Sequence, residues 1–231
     1  MTDRLALLFS FIILTAASSC SKMTCTYADM NLNGEWEYGI AREYQGTTEV
    51  PGITLNPEEI TQGTLWYKRT IELPAGDWDA AVLELKGARF RPSVYIDSIK
   101  VSSSEGGMTR TLHPLKNVAP GKLVTLEISL LPLSDVPVED ASYIPGVDQW
   151  RSNCSSCLWD DVVLHLYKGA RVNRVLVYAD TETDSVRFKY RVEGENASKA
   201  SIGILDSRRT VKTLEGAAVA GENEVEITND V

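Results

Sequence analysis

Residues 63–73, Gly-Thr-Leu-Trp-Tyr-Lys-Arg-Thr-Ile-Glu-Leu, decide the fold of this chain and are followed by Pro74. Hydrophobic and polar side chains alternate along this segment, which is typical of a β-strand with one buried face and one wetter face. The inward set is Leu65, Tyr67, Ile71 and Leu73, and the outward set is Trp66, Lys68, Thr70 and Glu72. Aromatic and β-branched residues favour the strand, and Pro74 is expected to end it. The pattern therefore predicts a central antiparallel strand of a β-sandwich.

Strand patterns cover most of the remaining chain, and no segment predicts a convincing helix. The clearest alternation lies at residues 124–130, where Val124, Leu126, Ile128 and Leu130 form the inward set. Residues 93–101 predict two short strands around an Asp97-Ser98 turn. Proline and glycine residues predict long loops at 42–61 and 132–158.

A boundary between two folded units is predicted at Gly169. Beyond it, strands are predicted at 172–178, 185–192, 200–205 and 224–227. An immunoglobulin-like sandwich needs about seven strands, so these four leave the second unit incomplete. The prediction is therefore an all-β protein with one large sandwich at 31–168 and a smaller, unfinished one at 169–231.

Composition is ordinary for a soluble globular protein, with 231 residues, 43% of them hydrophobic and 24% charged. Lysine and arginine number 23 and aspartate and glutamate number 32, which gives a net charge of −9. An acidic surface repels phosphate backbones, and no basic segment is interleaved with aromatic residues. Nucleic acid is therefore not a predicted partner.

The first nineteen residues resemble a bacterial lipoprotein signal. Arg4 precedes the apolar run 5–17, and Ala17-Ser18-Ser19-Cys20 follows. The resemblance implies that Cys20 becomes the lipidated first residue, that residues 20–30 form a tether, and that a lipid anchor holds the protein at the membrane of the cell envelope. An ordinary cleaved signal is the alternative, and it too takes the mature chain out of the cytoplasm.

Cys154 and Cys157 have the spacing of a redox motif or of half a zinc site. A second cysteine pair is missing, and only His113 and His165 could supply imidazole ligands. We therefore predict a local disulfide between Cys154 and Cys157, or two loop thiols, and predict no metal and no cofactor.

Five short motifs follow one another along the chain. They are Leu32-Asn33-Gly34-Glu35-Trp36, Leu65-Trp66-Tyr67-Lys68-Arg69, Val94-Tyr95-Ile96-Asp97, Gly106-Gly107, and Leu158-Trp159-Asp160-Asp161-Val162 with Leu164. In their order and spacing, residues 31–231 resemble the N-terminal part of family 2 glycoside hydrolases, which include β-galactosidases, β-glucuronidases and β-mannosidases. The resemblance implies a jelly-roll (galactose-binding-like) sandwich at 31–168, part of an immunoglobulin-like sandwich at 169–231, and no catalytic barrel.

The resemblance also implies that this chain has no catalytic residues of its own. In the family, both catalytic carboxylates lie on a (β/α)₈ barrel, which takes about 250 residues. Asn223-Glu224 has the same two residue types as the family's acid/base pair. It lies in a predicted strand of the second sandwich, so no catalytic role is expected for it. Asp160 and Asp161 are adjacent in a strand and point to opposite faces, so they are expected to make local hydrogen bonds.

Sugar contacts are expected from the loop that precedes Trp159. In β-galactosidases and β-glucuronidases the corresponding loop offers an aspartate to the catalytic pocket, and Asp148 with Trp150 is the best match here. A carboxylate accepts hydrogen bonds from sugar hydroxyls, and an indole stacks on a pyranose. Trp36 and Trp66 are instead predicted to pack in the core.

Three functions remain open at this point. The chain is the non-catalytic N-terminal portion of a family 2 glycoside hydrolase, supporting or binding a β-glycoside; or it is a free-standing carbohydrate-binding lipoprotein of the envelope. The third alternative is a structural module whose exposed edge strand pairs with a partner chain.

Overall fold

The computed structural model describes residues 27–54, 63–105, 107–132, 135, 156–180, 182–183, 185–194, 199–206 and 208–228. These residues form seventeen β-strands and contain no α-helix, which confirms the predicted all-β sandwich class. In this part of the chain there is no helix long and apolar enough to cross a membrane.

Twelve strands lie between residues 27 and 167. They are β1 (Tyr27–Asn31), β2 (Gly34–Ile40), β3 (Glu43–Val50), β4 (Leu65–Glu72), β5 (Ala80–Leu85), β6 (Ala88–Arg89), β7 (Ser93–Ile96), β8 (Ile99–Ser103), β9 (Thr111–Pro114), β10 (Leu123–Leu130), β11 (Cys157–Leu158) and β12 (Val162–Tyr167). Five more follow: β13 (Ala170–Asp180), β14 (Ser185–Gly194), β15 (Ala200–Asp206), β16 (Arg209–Gly216) and β17 (Gly221–Thr228).

Two large antiparallel sheets enclose the main core. One has the strand order β1-β12-β5-β9 and the other β3-β2-β4-β10-β7-β8, while β11 and β6 form a small separate pair. Side chains from both large sheets belong to a single buried cluster, as expected for a sandwich whose inner faces interdigitate. Beyond residue 169 the sheets are β13-β14-β17 and β15-β16.

The strand predicted from residues 63–73 is observed as β4. It pairs with β2 on one side and β10 on the other, so it lies inside the six-stranded sheet. The inward set of Leu65, Tyr67, Ile71 and Leu73 is buried, and Thr70 and Glu72 of the outward set are exposed. Both the strand and the prediction of which face is buried are therefore confirmed.

Two large buried side chains that carry a polar atom, Trp36 and Tyr67, have hydrogen-bond partners. The indole of Trp36 is buried, as predicted, and donates a hydrogen bond to the Leu32 carbonyl at 2.8 Å. The Tyr67 hydroxyl lies 2.5 Å from Thr54 Oγ1 and accepts the Leu158 backbone N–H at 3.3 Å. These bonds remove the cost of burying an indole N–H and a phenol in an apolar layer.

Several strands were not predicted from the sequence, among them β3, β16 and the short strands β6, β9 and β11. Residues 43–50 were predicted as loop but form edge strand β3, which is joined to β2 by a turn at Ala41 and Arg42 with φ of 51° and 67°. Its mostly polar residues have no apolar face, so its alternation is not visible in the sequence. Strand β16 was missed for the same reason, and β1 begins at Tyr27, inside the predicted tether 20–30.

The Asp97-Ser98 turn is confirmed. Both residues have positive φ, 48° and 68°, and they connect β7 to β8 as a two-residue hairpin requires. The Asp97 carboxylate accepts the Thr125 backbone N–H at 2.9 Å, which ties the turn to β10.

A pair of leucines in β10 tests the register of the sandwich. Leu126 is 0% exposed in the core and Leu123 is 64% exposed in the same strand. Leu126→Ala is expected to lower the free energy of unfolding by about 2–5 kcal/mol, because it leaves a cavity in a packed core. The control Leu123→Ala is expected to change it by less than about 0.5 kcal/mol. Urea denaturation followed by tryptophan fluorescence measures both, and similar losses for the two variants would contradict this register.

Candidate functional site

Most residues predicted to contact sugar or carry modifications lie outside the described part of the chain. These are Asp148, Trp150, Cys20 and Cys154. Cys157 is described and lies in β11, where burial raises the pKa of its thiol to about 11. The disulfide between Cys154 and Cys157 therefore stays a prediction.

The acidic pair before β12 makes local hydrogen bonds, as expected. Asp161 accepts a hydrogen bond from the Asn33 side-chain amide at 2.7 Å and pairs with Lys86 Nζ at 2.8 Å. Asp160 accepts the Asp161 backbone N–H at 2.7 Å. Both carboxylates therefore fix the start of β12 rather than face a common substrate.

A groove lies on the outer face of the six-stranded sheet. In register across β4, β10, β7 and β8, the row Trp66, Ser129, Ser93 and Ser103 places three small hydroxyl side chains beside one indole. The small residues leave a groove of about 330 Å³, which we call the sheet groove. Trp66, Tyr95 and Arg91 also line it, so aromatic faces and polar groups share one depression.

The indole predicted to pack in the core is the largest side chain of this groove. Trp66 is partly exposed on the outer face, so its core assignment from the sequence was wrong. Its ring centroid lies 4.8 Å from that of Tyr95, at an interplanar angle of 42°. The Arg42 guanidinium lies 4.2 Å from the Trp66 centroid and 4.7 Å from that of Tyr95. The alternation of β4 already placed Trp66 outward, and this was the signal for its role.

A buried glutamate, Glu127, binds the arginine that lies over the aromatic pair. Glu127 is on the outer face of β10 but only 4% exposed, and its cross-strand neighbours are Lys68 and Tyr95. It pairs with Arg42 at 3.3 Å and accepts the Tyr44 hydroxyl at 2.6 Å. Burial and that hydrogen bond raise the pKa of Tyr44. The ion pair with Glu127 therefore holds the Arg42 guanidinium against the Trp66 and Tyr95 rings.

The rim of the sheet groove carries further polar groups. Arg91 pairs with Glu105, with its Nε 2.7 Å from the carboxylate. The Ser104 hydroxyl is buried beside them and has no hydrogen-bond partner within the described ranges. A buried hydroxyl without a partner is costly, so it is a natural contact point for a polar ligand.

A second polar cluster lies on the four-stranded sheet, around His165 in β12. Its Nδ1 is 2.5 Å from Asp29 and its Nε2 is 3.0 Å from Glu84. Arg110 binds the other oxygen of Glu84 at 3.1 Å and donates to the Asn173 carbonyl at 2.8 Å. Burial alone would raise the pKa of Glu84, but the hydrogen bonds from His165 and Arg110 outweigh it and lower the pKa.

The contacts of this histidine cluster connect four strands. Every member named has a charged or carbonyl partner, and the chain of contacts runs from β1 through β12 and β5 to β13. Among the described residues, no group of three or more histidine, cysteine, aspartate or glutamate side chains is placed to hold a metal ion.

Comparison with known proteins shows what this fold is similar to. No protein-family model and no curated protein sequence matches the chain. Among solved structures, a β-glucuronidase from Faecalibacterium prausnitzii is 18% identical with a TM-score of 0.63, over 88% of this chain and 40% of that one. A β-D-mannosidase from Dictyoglomus thermophilum is 16% identical with a TM-score of 0.67, over 87% and 31%. A β-glucuronidase from Ruminococcus gnavus is 17% identical with a TM-score of 0.63, over 89% and 39%.

These similarities establish a fold shared with glycoside hydrolase chains. At 16–18% identity they show the fold alone, and they extend over nearly the whole of this chain. The chain spans 31–40% of the length of these three structures. Its β-sandwich architecture is thus one that these solved glycoside hydrolase structures also contain.

Stability below neutral pH is expected to depend on His113, which is fully buried between Ser102 and Thr111. Burial lowers the pKa of His113 to about 4 from an ordinary value of 6.5. As the pH falls through 6.5, the His113 imidazole is therefore protonated in the unfolded chain while it is still neutral in the folded protein. This group's contribution to stability is complete above pH 6.5 and is lost towards pH 4, with a slope of up to about 1.4 kcal/mol per pH unit.

His113→Asn is expected to flatten that slope, because asparagine does not titrate and can still hydrogen-bond one of the two hydroxyls. Urea denaturation of both proteins at pH 7, 6 and 5 measures the difference. Parallel pH dependences in the two proteins would contradict the assignment.

Proposed function

We propose that this chain is the non-catalytic, sugar-binding portion of a family 2 glycoside hydrolase and that it binds β-linked carbohydrate. The observation that carries the proposal is the match to β-glucuronidase and β-mannosidase structures over 87–89% of the chain. The five sequence motifs, from Leu32 to Leu164, support the same family.

The sheet groove supports the binding role. Its volume of about 330 Å³ is near the lower end of small-molecule sites, which suits one or two sugar rings. The Trp66 and Tyr95 rings offer apolar faces for the C–H side of a pyranose. Ser93, Ser103 and Ser129 offer hydroxyls to its oxygen atoms.

The acidic residues in and next to the groove, Glu105 and Glu127, support binding rather than hydrolysis. A retaining glycosidase needs one protonated and one ionised carboxyl group about 5 Å apart on either side of the scissile bond. Glu127 is buried against Arg42 and Tyr44, and Glu105 is paired with Arg91. Glu127 is only 4% exposed, and Glu105, although its side chain is 63% exposed, is held by its ion pair with Arg91.

Residues outside the described ranges would contribute to the same function. Asp148 and Trp150, which belong to the predicted loop 132–158, would add sugar contacts, as the aspartate of the corresponding loop does in the family that the chain resembles. Lipid attachment at Cys20 would hold the protein at the cell envelope, where it meets glycans before they enter the cell. In the alternative function, a free-standing carbohydrate-binding lipoprotein, the chain would bind sugar in the same sheet groove. The two functions differ only in whether the chain works together with a catalytic domain.

Carbohydrate binding is expected to depend on the aromatic pair of the sheet groove. We expect methyl β-glucuronide, β-galactoside or β-mannoside to bind with a dissociation constant on the order of 1 mM, or about −4 kcal/mol. Trp66→Ala and Tyr95→Ala should each weaken binding at least tenfold by removing a stacking face. Calorimetry or NMR titration measures the effect.

Tyr27→Ala is the matched control, because Tyr27 is an exposed aromatic residue on the opposite sheet. The Tyr27→Ala variant should bind the methyl glycosides with the same affinity as the unmodified protein. Equal affinities for Trp66→Ala and the unmodified protein would exclude the sheet groove as the sugar site.

The purified chain is expected to show no hydrolysis of aryl β-glycosides above the uncatalysed rate, since two suitably placed carboxylates are required for that reaction. Release of p-nitrophenol from the β-glucuronide, β-galactoside and β-mannoside measures this. Turnover that a single substitution within the chain abolishes would overturn the non-catalytic assignment.

A further inference from the structure

Strand β13 forms one edge of the sheet β13-β14-β17. Ten of its eleven residues pair with β14, and no strand within the described residues pairs with its other side. Val175, Val177 and Tyr178 are 53%, 59% and 50% exposed. An edge of this length presents a row of backbone N–H and C=O groups, and such a row can pair with another strand.

The regular part of this edge has a definite centre. A register shift lies between Val172 and Arg174, and from Arg174 to Asp180 the strand is regular. These seven residues are centred on Val177. If two copies of the run pair antiparallel along its full length, the two-fold axis passes through Val177.

That register is electrostatically complementary. It places Arg174 of each copy opposite Asp180 of the other, and it pairs Leu176 with Tyr178 and Val175 with Ala179. Within one copy, Arg174 faces Arg191 on β14, which is paired with Glu222, so Arg174 has a like-charged neighbour there. The Asp180 carboxylate accepts backbone N–H groups from Glu182 and Thr183, which lowers its pKa and keeps it ionised.

The apolar residues of β13 favour the same arrangement. Val175 and Val177 lie opposite Tyr190 and Phe188 on β14, and therefore on the same face of the sheet. Phe188 and Tyr190 are buried, whereas the two valines at the edge are exposed. Pairing with a second β13 would continue this apolar face across the two-fold axis.

We propose that the chain forms a symmetric homodimer by antiparallel pairing of β13 with β13 of a second copy, about Val177. The interface is isologous, so each favourable contact occurs twice. It joins two three-stranded sheets into one of six strands and uses backbone hydrogen bonds as in β-augmentation. The proposal is independent of carbohydrate binding, because the sheet groove lies on another sheet.

Charge reversal tests the register directly, with every protein carrying Cys20→Ser so that no lipid contributes to association. Sedimentation equilibrium between 1 and 100 μM should give a dimer for the parent protein. Arg174→Asp and Asp180→Arg should each weaken dimerisation at least tenfold, because like charges then face each other at both ends. The double variant should regain the parent's affinity, since the pair is restored in reverse. Lys212→Asp, an equal charge change on β16, should dimerise like the parent.

Crosslinking tests the axis. Residues directly opposite in antiparallel strands have Cβ atoms about 4.5–5.5 Å apart, so Val177→Cys should yield a disulfide-linked dimer on mild oxidation. Val175→Cys should not, because its opposite residue is Ala179. A parent protein that stays monomeric at 100 μM, or a dimer unaffected by both charge reversals, would overturn the proposal. A double variant that fails to recover, or equal crosslinking of the two cysteine variants, would overturn this register.

Discussion

The structure depends on the burial of one face of β4 between two neighbouring strands. Leu65, Tyr67, Ile71 and Leu73 enter the core, and β2 and β10 satisfy both edges of the strand. Burial of apolar area is the main favourable term in folding, and it is available here only if the backbone groups are hydrogen-bonded at the same time. A central strand meets both conditions, so the other sheet can close over it.

The same strand also shapes the outer face. Because side chains alternate, the burial of Tyr67 commits Trp66 and Lys68 to the opposite side. There Trp66 meets the serines of β10, β7 and β8, whose small size leaves the sheet groove open. Glu127 then anchors Arg42 against the rings. The groove is thus a by-product of the register that builds the core, which is why it is held by rigid strands.

The histidine cluster shows a different use of buried charge. Glu84 is buried and would be unfavourable alone, but His165 and Arg110 supply two hydrogen bonds to its two oxygens. Arg110 also reaches the carbonyl of Asn173 on β13. Removing one member of such a network leaves an unpaired buried charge, so the members depend on one another. The cluster therefore links the large sandwich to the first strand that follows it.

The sequence by itself determined the all-β class, the inward set of β4, the Asp97-Ser98 turn and the burial of Trp36, because each depends on local alternation or on turn chemistry. It did not determine β3 or β16, since polar edge strands gain their stability from hydrogen bonds to a neighbour and need no apolar face. Only the tertiary structure decided that Trp66, Tyr95, Arg42 and Glu127 meet, because strand pairing and register bring together residues from four separate segments of the sequence. The same holds for the exposed valines of β13, whose exposure depends on which strands cover them.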